Sequence, residues 1–269
     1  MISKKPIVVA NWKASQNNYK LTEKKIGSLL KNLNKDKTKV DLIIAPNFLF
    51  LQNLKKIFKK SIGLSAQDAS VFEDGSHTGE TTSESIKDVG IDYVIIGHSE
   101  KRDQGDTQDM IIKKIQNSLK NDLKVIYCIG EKERDNGVKY LKLIEDQIVS
   151  VFNSVDKKKF ENVILAYEPV WAINNKDHLS IDAHSLHSMV IYIRKILLEK
   201  YGDNISKNIN ILYGGSITKE NAQDILWNGE VQGLLIGRAS WDNDSLVSII
   251  KNIIINPKKN ILKVYGNKK

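Results

Sequence analysis

The chain has 269 residues, 41% of them hydrophobic and 27% charged, enough for a sizeable core and for one α/β barrel domain. No apolar run reaches the roughly 18 residues of a membrane span, and the N-terminal apolar stretch is too short for a secretory signal core, so a cytoplasmic protein is expected. The net charge of +9 is scattered over segments such as KKIFKK (55–60) and KKK (157–159) and the tail 256–269, with no interleaving of basic and aromatic residues. It reads as solvated helix faces that attract anions in general, and no nucleic-acid partner is expected. The single cysteine, Cys128, excludes an internal disulfide framework and a thiolate metal cluster.

In chain order, the apolar runs are IVVAN (7–11), VDLIIAP (40–46), IGLSAQ (62–67), DYVIIGH (92–98), VIYCIGE (125–131), VILAYEP (163–169), INILYGG (209–215) and VQGLLIG (231–237). Each is nearly continuous and rich in β-branched or aromatic residues, as parallel strands covered on both faces should be. Between them lie amphipathic helical patterns, among them LTEKKIGSLLKNL, DMIIKKIQNSLK, YLKLIEDQIVSVF and AHSLHSMVIYIRKILLEK. Eight such units favour a closed (β/α)8 barrel, eight parallel strands surrounded by helices, over an open doubly wound sheet. No linker or composition break interrupts them, so residues 1–269 read as one domain with a basic tail at 256–269. Polar residues gather at the C-terminal ends of the strands: Asn11, Lys13, Gln67, His98, Glu131, Glu168, the Gly214-Gly215-Ser216 turn and Gly237. In a parallel barrel those ends share the face on which active sites are built.

Each motif at these ends has a functional and a plain reading. NWK (11–13) offers an amide and an ammonium after the first strand, but a lysine there is usually just solvated. GHSEKR (97–102) sets a histidine before a short polar segment that can open a helix, whose positive end disfavours imidazolium. A lone histidine in that place is more often a hydrogen-bonded structural group. EPVW (168–171) holds a carboxylate between proline and bulky apolar residues, conditions that raise its basicity, or else forms a salt-bridged turn. YGGS (213–216) and GRAS (237–240) are tight glycine turns whose backbone N–H groups suit a phosphate.

Together and in order, NWK, SAQD, TGE, GHSE, CIGE, AYEPVWAI, YGGS and IGRAS resemble the triosephosphate isomerase family from end to end. The resemblance implies a TIM barrel that interconverts dihydroxyacetone phosphate and glyceraldehyde 3-phosphate without metal or organic cofactor. It implies Glu168 as the base, neutral His98 as donor to the carbonyl, Lys13 as the positive charge and Asn11 as the group orienting substrate oxygens. Glu100 matches the partner of Lys13, and Ser99 the residue that holds the base in an open site. Backbone N–H groups of Ser216, Gly237 and Arg238, with Asn174 of the lid, would take the phosphate. VFEDGSHTGE (71–80), otherwise an exposed loop, matches the projection that docks into a second copy, which predicts a homodimer with Thr78 near the partner's site.

The sequence also departs from the family. The lid has Asn174, Asn175 and Lys176 in place of Gly-Thr-Gly, followed by a bulky hinge at Asp177, His178 and Leu179. Asparagine tolerates positive φ, so preserved chemistry with altered lid kinetics and more loss of the intermediate to methylglyoxal is expected. Arg238 replaces a glycine, Lys101 and Asp106 an arginine–glutamate pair, and Gln232 an aspartate. Two other functions compete. A Schiff-base aldolase needs a lysine at the sixth strand, where this chain has Glu168. A non-catalytic binding barrel has no need of Asn11, Lys13, His98 and Glu168 together.

Overall fold

A computed structural model describes residues 5–15, 17–58, 61–134, 138–173 and 181–255. The lid and hinge residues 174–179, Asn174 among them, and the tail 256–269 lie outside the described residues.

Eight strands, β1 (Ile7–Asn11), β2 (Asp41–Ala45), β3 (Gly63–Ala66), β4 (Tyr93–Ile96), β5 (Lys124–Ile129), β6 (Val163–Tyr167), β7 (Asn210–Gly214) and β8 (Gly233–Ile236), close into a barrel in chain order. Every pairing is parallel, and β8 closes on β1 with Val9 opposite Leu235. The expected (β/α)8 barrel is therefore the observed fold. Around it, among the described residues, run α1 (Tyr19–Leu33), α2 (Leu51–Phe58), α3 (Ser83–Asp88), α4 (Ser99–Asp103), α5 (Gln108–Lys120), α6 (Lys139–Phe152), α7 (Val170–Ile173), α8 (Ala183–Tyr201), α9 (Asp203–Asn208), α10 (Ala222–Trp227) and α11 (Asn243–Ile253). None is long and apolar enough to cross a membrane.

The helices begin where the sequence supplies caps. Asn18, Thr82, Thr107, Asp182 and Asp242 each accept a backbone N–H from the first turn of α1, α3, α5, α8 and α11, respectively. Strand alternation then sorts the core into two layers. Val9, Ile43, Ile95, Ile126, Ile164 and Leu212 fill the barrel interior. Neighbours of opposite parity, such as Val8, Ile44, Leu165 and Ile211, pack outward against the helices with Ile26, Ile115 and Ile193.

This parity positions the site. Ile164 and Ala166 point inward, so the next residue of that parity, Glu168, turns over the barrel mouth just past β6. Val9 does the same for Asn11 at the end of β1. On β4 the inward residues are Tyr93 and Ile95, which would leave His98 facing outward. Gly97 reverses that at φ +76°, a left-handed conformation suited to glycine. A Cβ at Gly97 would also stand 3.1 Å from the Cys128 carbonyl oxygen.

Candidate active site

Asn11 is buried, and its Oδ1 accepts the Lys13 backbone N–H at 3.1 Å. Lys13 itself sits at φ +48°, a costly conformation for a residue with a Cβ. Gln67 holds it there: the Gln67 amide donates to the carbonyl oxygens of Lys13 (2.9 Å), Ala45 (2.9 Å) and Pro46 (3.0 Å). The Lys13 side chain reaches across the mouth to Glu100 Oε1 at 2.7 Å. A Cβ on Gly237 would lie 4.0 Å from Lys13 Nζ, so the turn after β8 runs beside the ammonium.

His98 caps α4, its Nδ1 accepting the Glu100 backbone N–H at 3.2 Å. An Nδ1 that accepts carries no proton, so the neutral ring bears its hydrogen on Nε2. That atom stands 3.6 Å from Glu168 Oε1, while Glu168 Oε2 lies 3.4 Å from the Ser99 backbone N–H. Glu168 is only 3% exposed. Its backbone N–H is tied to the Ile129 carbonyl at 2.7 Å, and its side chain lies over the end of β7. Beneath it is Cys128, whose thiol is pushed well above its usual value by burial and then by the negative Glu168 beside it.

The structure thus brings Asn11, Lys13, His98, Ser99, Glu100 and Glu168 together. Ser216, after β7, adjoins them: its hydroxyl faces the Ala172 carbonyl of α7 at 3.3 Å. Arg238 opens the short 3-10 turn Arg238–Ser240 and is exposed. Thr78 stands apart, on an exposed loop. What this arrangement can do is remove a proton from carbon with Glu168, while His98 Nε2–H and the Lys13 ammonium face the charge that develops.

The family model for triosephosphate isomerase matches residues 6–253. The chain belongs to the triosephosphate isomerase family. Similar proteins named triosephosphate isomerase include that of Alkaliphilus oremlandii, 34% identical over 92% of this chain and 99% of the relative. That of Flavobacterium johnsoniae is 35% identical over 93% and 100%, and that of Treponema denticola 39% over 91% and 98%.

The structure also gives the partners of two of the departures from the family. The side chains of Lys101 and Asp106 take other partners, Asp68 at 3.2 Å and Lys114 at 2.7 Å respectively, while the Asp106 backbone N–H donates to the Lys101 carbonyl at 3.0 Å. Lys114 joins the two by contacting Asp68 at 2.9 Å. Gln232 Oε1 accepts from Arg194 at 2.5 Å and from the Ile211 backbone N–H at 2.8 Å, without the charge an aspartate would carry. Burial alone pushes the Arg194 guanidinium down to about 10. Sequence reasoning missed Arg134, whose only signal was a basic residue three places after Glu131. It also missed that Gly214 leaves room for the base.

Proposed function

We propose that this chain interconverts dihydroxyacetone phosphate and D-glyceraldehyde 3-phosphate through an enediolate. The carrying observation is the pair of Glu168, nearly out of water, and His98 Nε2, 3.6 Å away, with the His98 tautomer fixed by the Glu100 N–H. Glu168 removes a proton from the carbon next to the carbonyl, and the C–H electron pair moves to form the enediolate. His98 Nε2–H and the Lys13 ammonium stabilise the oxygen as its charge grows, which lowers the barrier because the contact strengthens in the transition state. Asn11 orients the substrate oxygens. The hydroxyl proton passes from one enediolate oxygen to the other and Glu168 returns its proton to the neighbouring carbon, so atoms and charge balance with no added reagent. A poorly hydrated carboxylate need not shed water before it reacts.

Backbone N–H groups of Ser216, Gly237 and Arg238, joined by Asn174, hold the phosphate in this reading. Glu100 keeps Lys13 in place, and Ser99 holds Glu168 between turnovers. The lid closes with altered kinetics, and more of the intermediate escapes as methylglyoxal. The barrel is the chain's single domain, working in the cytoplasm as a homodimer. Its projection is anchored by Ser70 N–H to the Thr81 carbonyl at 2.8 Å and by Asn117 to the Val71 carbonyl at 3.0 Å.

A coupled assay with glyceraldehyde 3-phosphate on wild type and Glu168→Gln tests the reading. The variant should lose about two to four orders of magnitude in kcat, the usual contribution of one positioned base. Equal rates for the two proteins would sink the assignment.

A further inference from the structure

Glu131, two residues past β5, is 1% exposed and gathers three donors on one oxygen. Its Oε1 accepts from Tyr167 Oη (2.8 Å), Trp171 Nε1 (2.9 Å) and Arg134 Nε (3.1 Å), while Oε2 is buried with no hydrogen-bond partner. Arg134 is the cation beside this carboxylate. Its Nη2 donates to Tyr167 Oη at 3.1 Å, and its guanidinium lies 5.0 Å from the Trp171 ring centre and 5.3 Å from that of Tyr140. Arg134 therefore stands between an aromatic ring of α6 and one of α7, with one N–H spent on Glu131, which holds Trp171, and another on Tyr167, which also donates to Glu131. Trp171 lies three residues past Glu168, and the same stretch is tied to β5 by Val170 N–H to the Glu131 carbonyl at 2.9 Å.

We propose that Arg134 is a positioning residue: it fixes Trp171, and through the short segment Glu168–Trp171 it fixes the carboxylate of Glu168. It touches no substrate. A planar guanidinium does two things at once that an ammonium cannot, stacking on rings and donating in fixed directions. Without it a buried carboxylate is left with no cation, and Trp171 loses one packed face.

In its kinetic arm the inference rests on the isomerase reading, so it is tested with two readouts. The first is steady-state kinetics on Arg134→Ala and Arg134→Lys, in the wild-type and Trp171→Leu backgrounds. A small displacement of a base lowers kcat about tenfold to a hundredfold, so Arg134→Ala should lose about tenfold in kcat with KM within about twofold. Arg134→Lys should fall between. In the Trp171→Leu background Arg134→Ala should cost less than about threefold, because the two residues act through one contact. The same loss in both backgrounds, or under twofold in the wild type, overturns the proposal. The second readout needs no turnover: Trp171 emission should shift to the red in Arg134→Ala, or in Arg134→Lys if alanine does not fold, and this difference should vanish with Trp171→Leu. An unchanged emission spectrum overturns the clamp. A wild type without isomerase activity instead refutes the reaction, and the emission result then decides the clamp alone.

Discussion

Gly214 has no room for a side chain because Glu168 already occupies the space. A Cβ there would stand 2.7 Å from Glu168 Cγ and 3.0 Å from its Oε1. Gly214→Ala should therefore fold with a nearly intact barrel while the carboxylate swings away from His98. A displaced base costs roughly tenfold or more in kcat. Steady-state kinetics beside a far-UV spectrum checks this, and a kcat within twofold of wild type would show that the carboxylate moves without penalty. At this scale the sequence was legible wherever chemistry dictates residue type. Asn11, Lys13, His98 and Glu168 stood out as polar groups at strand ends, and they converge. What it could not display are effects of backbone shape. Gly97 at φ +76° delivers His98 into the mouth against strand parity, and Lys13 at φ +48° depends on Gln67 from another strand. Neither leaves a mark in residue order.

Among the elements, β3, α4 and α5 are joined by the Lys114 network. Lys114 is almost fully buried between Asp106 at 2.7 Å and Asp68 at 2.9 Å, both just beyond the ends of secondary structure. Burial acts against its ammonium, but the hydrogen bonds and charges of Asp106 and Asp68 outweigh it and hold its pKa above the usual lysine value. A raised folded value stabilises the protein fully below the unfolded lysine value and loses that contribution as pH rises through the folded one. Lys114→Met leaves a buried Asp106 with no cation. Removing one partner of a buried pair costs about 3 kcal/mol, or roughly 6–10 °C in Tm for a chain of this size. Thermal unfolding should show that loss at pH 8 and a shrinking difference as pH climbs above about 10.5. A loss that stays constant into that alkaline range would refute the charge argument. All eight strands were legible, with ends within two residues, because continuous β-branched runs have few other uses. The predicted runs overshoot at both ends by up to two residues; at the C-terminal ends the excess holds site residues such as Gln67 and His98, which follow the apolar run without continuing the ladder. The short helices α3, α7, α9 and α10 were not, since four to six residues hold less than two full turns of periodicity.

For the whole molecule, the loop 71–80 projects from the barrel with nine consecutive exposed residues, 72–80. Phe72 and His77 stack within it at 3.3 Å, and Gly75 and Gly79 turn it at φ +98° and +89°. A loop so internally braced, with Phe72 at its start 39% exposed, is shaped to insert into something. The occupant we infer is a second copy. The loop carries Glu73, Asp74 and Glu80 and no lysine or arginine, on a chain whose net charge is +9, so an acidic projection meets a basic body. Light scattering at micromolar concentration should therefore give twice the 30.4 kDa of the chain. Thr78→Arg, which places a cation on the projection, should shift the mass toward one chain and lower kcat with it. Because the attraction is between opposite charges, raising salt should weaken the assembly, most of all between 0.05 and 0.5 M, where screening shortens to about 4 Å. A wild-type monomer with full activity at that concentration would refute both the dimer and the role of Thr78.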